Sequence, residues 1–189
     1  MKKLRITFNS PVVLIFAAIC LVATILGTVT RGGSNALLFS TYRASIASPL
    51  TYLRLIGHVF GHSSWEHLIG NMSYILLLGP MLEEKYGSKN LIGVMVTTAL
   101  VTALIMDIFF PDIALLGASG IVFAFILLAS FSGFKDGEIP LTFILVAVIY
   151  IGQQVYEGVF LQDQVSQLAH IIGGGIGGVA GFVLNKGRD

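Results

Sequence analysis

The sequence predicts an all-α membrane protein, a six-transmembrane helical bundle with both termini cytoplasmic. Three observations lead there. Of 189 residues, 55% are hydrophobic and only 11% charged, and the mean hydropathy is +0.87; that leaves too little polar surface for a water-soluble globule of this length. Apolar runs of about 20 residues, long enough to cross a hydrocarbon core of about 30 Å, recur along the chain. Lysine and arginine concentrate on alternate connections between those runs, as the positive-inside rule expects.

The first run, about 11–30, follows the basic start Met1-Lys2-Lys3 and could pass for a secretory signal. Its length, and the lack of a small-x-small cleavage site before Arg31, make it a membrane span. The segment 31–63 mixes Leu, Phe, Tyr and Ile with Ser and Arg, a composition suited to short amphipathic helices at the membrane interface. The second span, about 64–82, is interrupted by His67, Asn71 and Pro80 and closed by Glu83-Glu84-Lys85. Ser63, with Glu66 three residues on, reads as its helix start.

Four further spans are expected at about 90–110, 113–133, 139–159 and 164–185, all within a single domain of residues 1–189 with only short tails. With the amino terminus inside, Lys2, Lys3, Arg5, Lys85, Lys89, Lys135, Lys186 and Arg188 are cytoplasmic, against Arg31, Arg43 and Arg54 outside. A net charge of +1, without a basic patch interleaved with aromatics, excludes a nucleic-acid partner. Cys20 is the sole cysteine and reads as a small packing residue in the first span.

Intramembrane polar residues are costly enough to suggest function. Ser119, in Gly117-Ala118-Ser119-Gly120, and His170 each lie about six residues into spans that start at the outer face, which at about 1.5 Å per residue puts both roughly 9 Å deep. Gly173, Gly177 and Gly181 bare one face of the last helix, with Gly174 and Gly178 one step round, and Gly117 and Gly120 thin the fourth. Such faces allow close helix approach, bringing an imidazole within reach of the hydroxyl.

A serine hydroxyl becomes an effective nucleophile when a neighbouring base accepts its proton, and imidazole titrates in the right range. A lysine base is disfavoured because Lys85, Lys89 and Lys135 fall on the inner side. A third, acidic member would have to be Asp107 or Asp112, so a Ser119–His170 dyad is the simpler expectation. The sequence around Ser119 is not a Gly-x-Ser-x-Gly elbow, because Ile121 replaces the last glycine. Acyl transfer also needs donors for the developing oxyanion. His67 and Asn71, four residues apart on one helix face, are candidates, with the Ser119 backbone N–H as a third.

His62-x4-His67-x3-Asn71, Gly117-Ala118-Ser119-Gly120 and Ala169-His170-x2-Gly173, in this order and spacing, resemble the three signatures of the rhomboid intramembrane serine proteases. The resemblance spans essentially the whole chain as the minimal six-helix core. It implies Ser119 as nucleophile, His170 as base and then acid, His67 with Asn71 as oxyanion donors, and the segment 31–63 as the family's membrane-embedded first loop. Two positions depart from the pattern. Leu53-Arg54 stands where members often carry Trp-Arg, and Phe123 stands where many place a tyrosine that stacks on the catalytic imidazole. The resemblance puts a gate and cap in the fifth span and the loop to Gln164, with Phe143 and Tyr150 as candidate gate residues.

The expected function is therefore an intramembrane serine endopeptidase that cuts transmembrane segments of membrane-protein substrates near the outer face. Its partners are substrate transmembrane helices and the lipid bilayer, and its expected location is the bacterial plasma membrane. No cofactor or metal is expected: His58 and His62 stand four apart, but His-Glu-x-x-His and a cysteine cluster are absent. The two histidines are expected instead to bond within the outer loop and orient the second helix. The alternative is a non-catalytic rhomboid-like protein that binds and escorts transmembrane helices; relatives of that kind typically lack the nucleophile or base, and both are present here. A small transporter would call for internal repeats and paired broken helices, which the sequence lacks.

Overall fold

A computed structural model describes residues 7–131, 138–160 and 164–186. Its regular elements are helices, joined at one point by an isolated antiparallel bridge between Thr41 and Leu115. Helix α1 (Pro11–Val29) is followed by two short helices of the long connection, α2 (Gly33–Leu38) and α3 (Pro49–Gly57), and a 3-10 turn at His58–Phe60. Then come α4 (Trp65–Tyr86), α5 (Ser88–Phe109), α6 (Ser119–Ala129), α7 (Leu141–Phe160) and α8 (Gln164–Asn185). Three stretches among the described residues are long and apolar enough to cross a membrane: Pro11–Val29, Ser88–Phe109 and Gln167–Asn185. Helix α4 carries polar residues at both ends, and α6 has only 11 residues.

The short α6 is the hub of the bundle. Phe125, Leu128 and Ala124 are wholly enclosed, and Ile121 is nearly so. Helix α8 approaches α6 backbone to backbone, since a Cβ on Gly173 would run into the Gly120 carbonyl and one on Gly177 into the Ala124 carbonyl. A Cβ on Gly181 would strike the Phe131 ring. These three glycines pack one helix on another, as their four-residue spacing predicts.

The start of α1 and the end of α4 are tied by a buried carboxylate. Glu83 accepts the backbone N–H groups of Val12 and Val13 at 3.1 and 3.2 Å and the Ser88 hydroxyl at 2.8 Å. The first amides of a helix have no intrahelical acceptor, and a negative charge there opposes the positive end of the helix dipole. Glu83 thus caps α1 from another helix.

The fourth expected span begins differently from its forecast. An apolar stretch from 113 suggested a continuous helix, but the chain stays extended and α6 starts only at Ser119. Gly117 has φ +125°, a conformation that breaks a helix and favours glycine. The extended backbone finds its partners in the long connection. Thr41 and Leu115 exchange N–H···O bonds of 2.8 and 2.9 Å, and the Gly117 N–H donates to the His58 carbonyl at 2.9 Å.

That connection is itself tightly built. Arg54 is buried, donates to the Leu37 carbonyl at 2.9 Å and lies over the Tyr42 ring at 4.4 Å, while neighbouring Leu53 is exposed. Asn35 donates to the His62 carbonyl at 3.0 Å. Gly57 and Gly61 press on the carbonyls of Leu38 and Phe39, leaving no room for a side chain.

Candidate active site

Helix α4 places its polar residues from a cap one residue later than the sequence suggested. The Ser64 hydroxyl, not Ser63, accepts the His67 N–H at 3.1 Å as the cap. Ser63 has a different task. Its hydroxyl pairs with Nδ1 of His67 at 3.2 Å and fixes one side of the imidazole. The opposite side, Cε1 and Nε2, lies 2.7 and 2.8 Å from where a Gly117 Cβ would stand. Nδ2 of Asn71, one turn further along α4, is 3.8 Å from the same point. That nitrogen is buried and makes no hydrogen bond among the described residues. His67 and Asn71 therefore converge on the backbone just before Ser119.

Ser119 is the first residue of α6, not a residue six positions inside a helix. It follows an extended approach, and the first amides of α6 lack intrahelical acceptors. Phe123, one turn on, lies against the His170 ring of α8 with centroids 4.4 Å apart and planes at 39°. The Phe123 contact expected from the sequence is thus present. Gly120 closes the approach on the far side, where a Cβ would stand 3.5 Å from the Ala169 carbonyl.

Ser119, His170, His67 and Asn71 all line one cavity of about 490 Å³. Four polar side chains from α4, α6 and α8 thus face a common space. Glu66, Gly70 and Tyr74 of α4 and Val146, Ile149 and Gln153 of α7 also line it. Phe143 does not face this space; its ring packs on Phe131 at 4.4 Å and Phe182 at 5.8 Å. The side chain of Tyr150 lies outside the described residues.

The alternative acid is placed elsewhere. Both carboxylate oxygens of Asp107 lie 2.9 Å from the Thr41 hydroxyl, and Asp107 lines a separate cavity with Arg43. Lys85 donates to the Phe131 carbonyl at 2.9 Å, and its residue is absent from the lining around Ser119.

His58 and His62 hold the long connection. Nδ1 of His58 lies 3.3 Å from the Arg54 carbonyl, and Nδ1 of His62 lies 3.1 Å from that of Phe60. The His62 ring meets the His67 ring edge-on at 4.9 Å. Burial pushes both His58 and His62 down to about 4, with the neighbouring His67 a lesser cause for His62. They are neutral supports at neutral pH.

Comparison with known proteins settles the family. Residues 49–187 match the Rhomboid domain model. The chain belongs to the rhomboid family. It is also similar to the Rhomboid protease GlpG of Haemophilus influenzae, 25% identical over 138 residues that cover 71% of each chain. Membership and the long apolar helices make this rhomboid an integral membrane protein built as a helical bundle.

Sequence reasoning passed over three features of the site. Gly117 seats the His67 ring; the Ser63 hydroxyl orients that ring; and Glu66, Gly70 and Tyr74 share a face of α4. The last was visible as a spacing of four residues, repeated.

Proposed function

We propose that this rhomboid is an intramembrane serine endopeptidase working through Ser119 and His170, with His67 and Asn71 stabilising the oxyanion. The observation that carries the proposal is that these four side chains line a single cavity. His170 accepts the Ser119 proton as the hydroxyl oxygen attacks the substrate carbonyl, then delivers that proton to the leaving amine. The carbonyl oxygen becomes negative in the tetrahedral intermediate, and Nε2–H of His67 and the Asn71 amide supply hydrogen bonds to it. In this reading the Ser63 hydroxyl donates to Nδ1 of His67, which leaves the ring proton on Nε2. Water then enters and, with His170 now acting as base, releases the acyl group from Ser119.

In this reading the chain crosses six times with cytoplasmic ends, as its lysine and arginine bias suggests, and the site lies near the outer face of the bacterial plasma membrane. Helix α6, at 11 residues, rises only about 16 Å, roughly half a bilayer core, so its first residue belongs below the surface. Water reaches such a point only through a cavity like the one above. Helices α4 and α7 both line that cavity, and in this reading a substrate helix enters between them. It must unwind to expose a carbonyl, because helical peptide bonds are shielded, so substrate segments with Gly or Pro are preferred.

The test is cleavage of a model transmembrane substrate in liposomes by wild type, Ser119→Ala and His170→Ala, with and without EDTA. Cleavage by wild type alone, unaffected by EDTA, is expected, together with fluorophosphonate labelling of wild type and not of Ser119→Ala. Undiminished cleavage by Ser119→Ala would end the serine-protease proposal. Substrate capture by wild type without any cutting would favour a helix-binding escort.

A further inference from the structure

The geometry points to Glu66 as a specificity determinant that favours substrates with a lysine or arginine on the outer side of the scissile bond. This rests on the protease reading above. Glu66, Gly70 and Tyr74 follow one another at four-residue intervals along the α4 wall of the cavity. Gly70 leaves that wall bare, with no atom within 4 Å of where its Cβ would stand. Glu66 is the one charged residue in the described lining, where Ser119, Phe123, Val146 and Ile149 are uncharged. Its carboxylate is fully exposed, with a hydrogen bond from the Ser64 hydroxyl beside it. Among the described residues, the lining of the cavity therefore carries one exposed negative charge, that of Glu66.

Its height fixes which substrate position feels it. Glu66 precedes Asn71 by five residues of helix, a rise of about 7.5 Å toward the outer end of α4. A substrate segment unwound along this wall advances about 3.3 Å per residue. With its reacting carbonyl beside Asn71 and Ser119, the side chain about two to three residues outward comes level with Glu66. A cation there gains an attraction of the size measured for exposed pairs, which corresponds to a preference of about fivefold or less. A glutamate there is repelled.

A plain structural role would be the favourable interaction of an acid with the first turn of a helix. The two roles separate in a substrate series. Transmembrane substrates differing only by Lys, Gln or Glu at each of the three positions outward of the cut are assayed in liposomes for kcat/KM. Wild type, Glu66→Gln and Glu66→Lys are compared at low and high salt.

Wild type is expected to favour Lys over Gln two- to fivefold at one of these positions, with the preference shrinking in high salt. Glu66→Gln brings the Lys and Gln substrates together, and Glu66→Lys turns the preference toward Glu. A wild-type preference that survives Glu66→Gln, or no wild-type preference at all, overturns the assignment while leaving the protease reading intact. Failure of wild type to cut every substrate in the series would instead remove that reading, and this one with it.

Discussion

Gly117 lies close against the imidazole of His67, so that a Cβ at Gly117 would stand 2.7 Å from Cε1 of the ring. No real side chain tolerates such a contact, and the φ of +125° at Gly117 would strain any other residue. Gly117→Ala is therefore expected to displace His67 from the backbone that leads into Ser119. The forecast is a loss of at least tenfold in kcat together with a loss of stability of about 1–3 kcal/mol from strain. Cleavage rate and thermal midpoint, measured together, check it. Wild-type turnover in a folded Gly117→Ala would show that the close seat of His67 is unimportant.

The oxyanion assignment makes a kinetic forecast. Donors that meet charge only as it develops affect kcat more than KM. Asn71→Ala should lower kcat by about 10²–10³-fold with KM nearly unchanged. Double mutation with His67→Ala should lose less than the product of the single effects, because the two serve one intermediate. A large rise in KM with intact kcat would recast Asn71 as a substrate-binding residue.

How much of this was legible in the chain depends on how local the cause is. Ser119, His170, His67 and Asn71 stood out because polar side chains inside apolar runs are few, and the structure gathers them around one cavity. The start of α6 was not legible, because hydropathy cannot separate an apolar helix from an apolar extended segment. What decides it is remote: Thr41 and His58 supply backbone partners from the long connection. The cap of α4 moved by one residue because Ser63 and Ser64 are chemically equivalent, and only the paired His67 nitrogens tell them apart. Phe143 was proposed from its place in the fifth span, but the helix phase relative to α8 turns it toward Phe131 and Phe182.

Glu83 should matter for stability rather than chemistry. It accepts from Val12, Val13 and Ser88, and its removal would leave the start of α1 uncapped and the amides of α1 without their carboxylate. Hydrogen bonds to a charged group contribute about 1.5–3 kcal/mol each, though not additively. Glu83→Ala is expected to lower stability by about 3 kcal/mol or more, and Glu83→Gln by less, since the amide keeps one acceptor. Unfolding in detergent, followed by a denaturant series, gives the measurement. Equal stability of Glu83→Ala and wild type would show that α1 does not depend on this cap.

Acid should unfold the long connection, and the sign follows from His58 and His62. Burial lowers both from 6.5 to about 4 in the folded protein. Between those values the unfolded chain binds more protons than the folded one, so falling pH favours unfolding. The stability these neutral rings allow is fully present above about pH 6.5 and is lost progressively as pH falls toward 4. For His58 the whole effect is on the order of 3 kcal/mol, at about 1.4 kcal/mol per pH unit. His58 also carries the carbonyl that holds Gly117, so the loss reaches the backbone leading to Ser119. Thermal midpoints measured from pH 8 to 4 should fall below pH 6.5, and His58→Gln should flatten the profile while lowering it at neutral pH. A midpoint that stays level or rises on acidification would mean that neither imidazole is held neutral by burial.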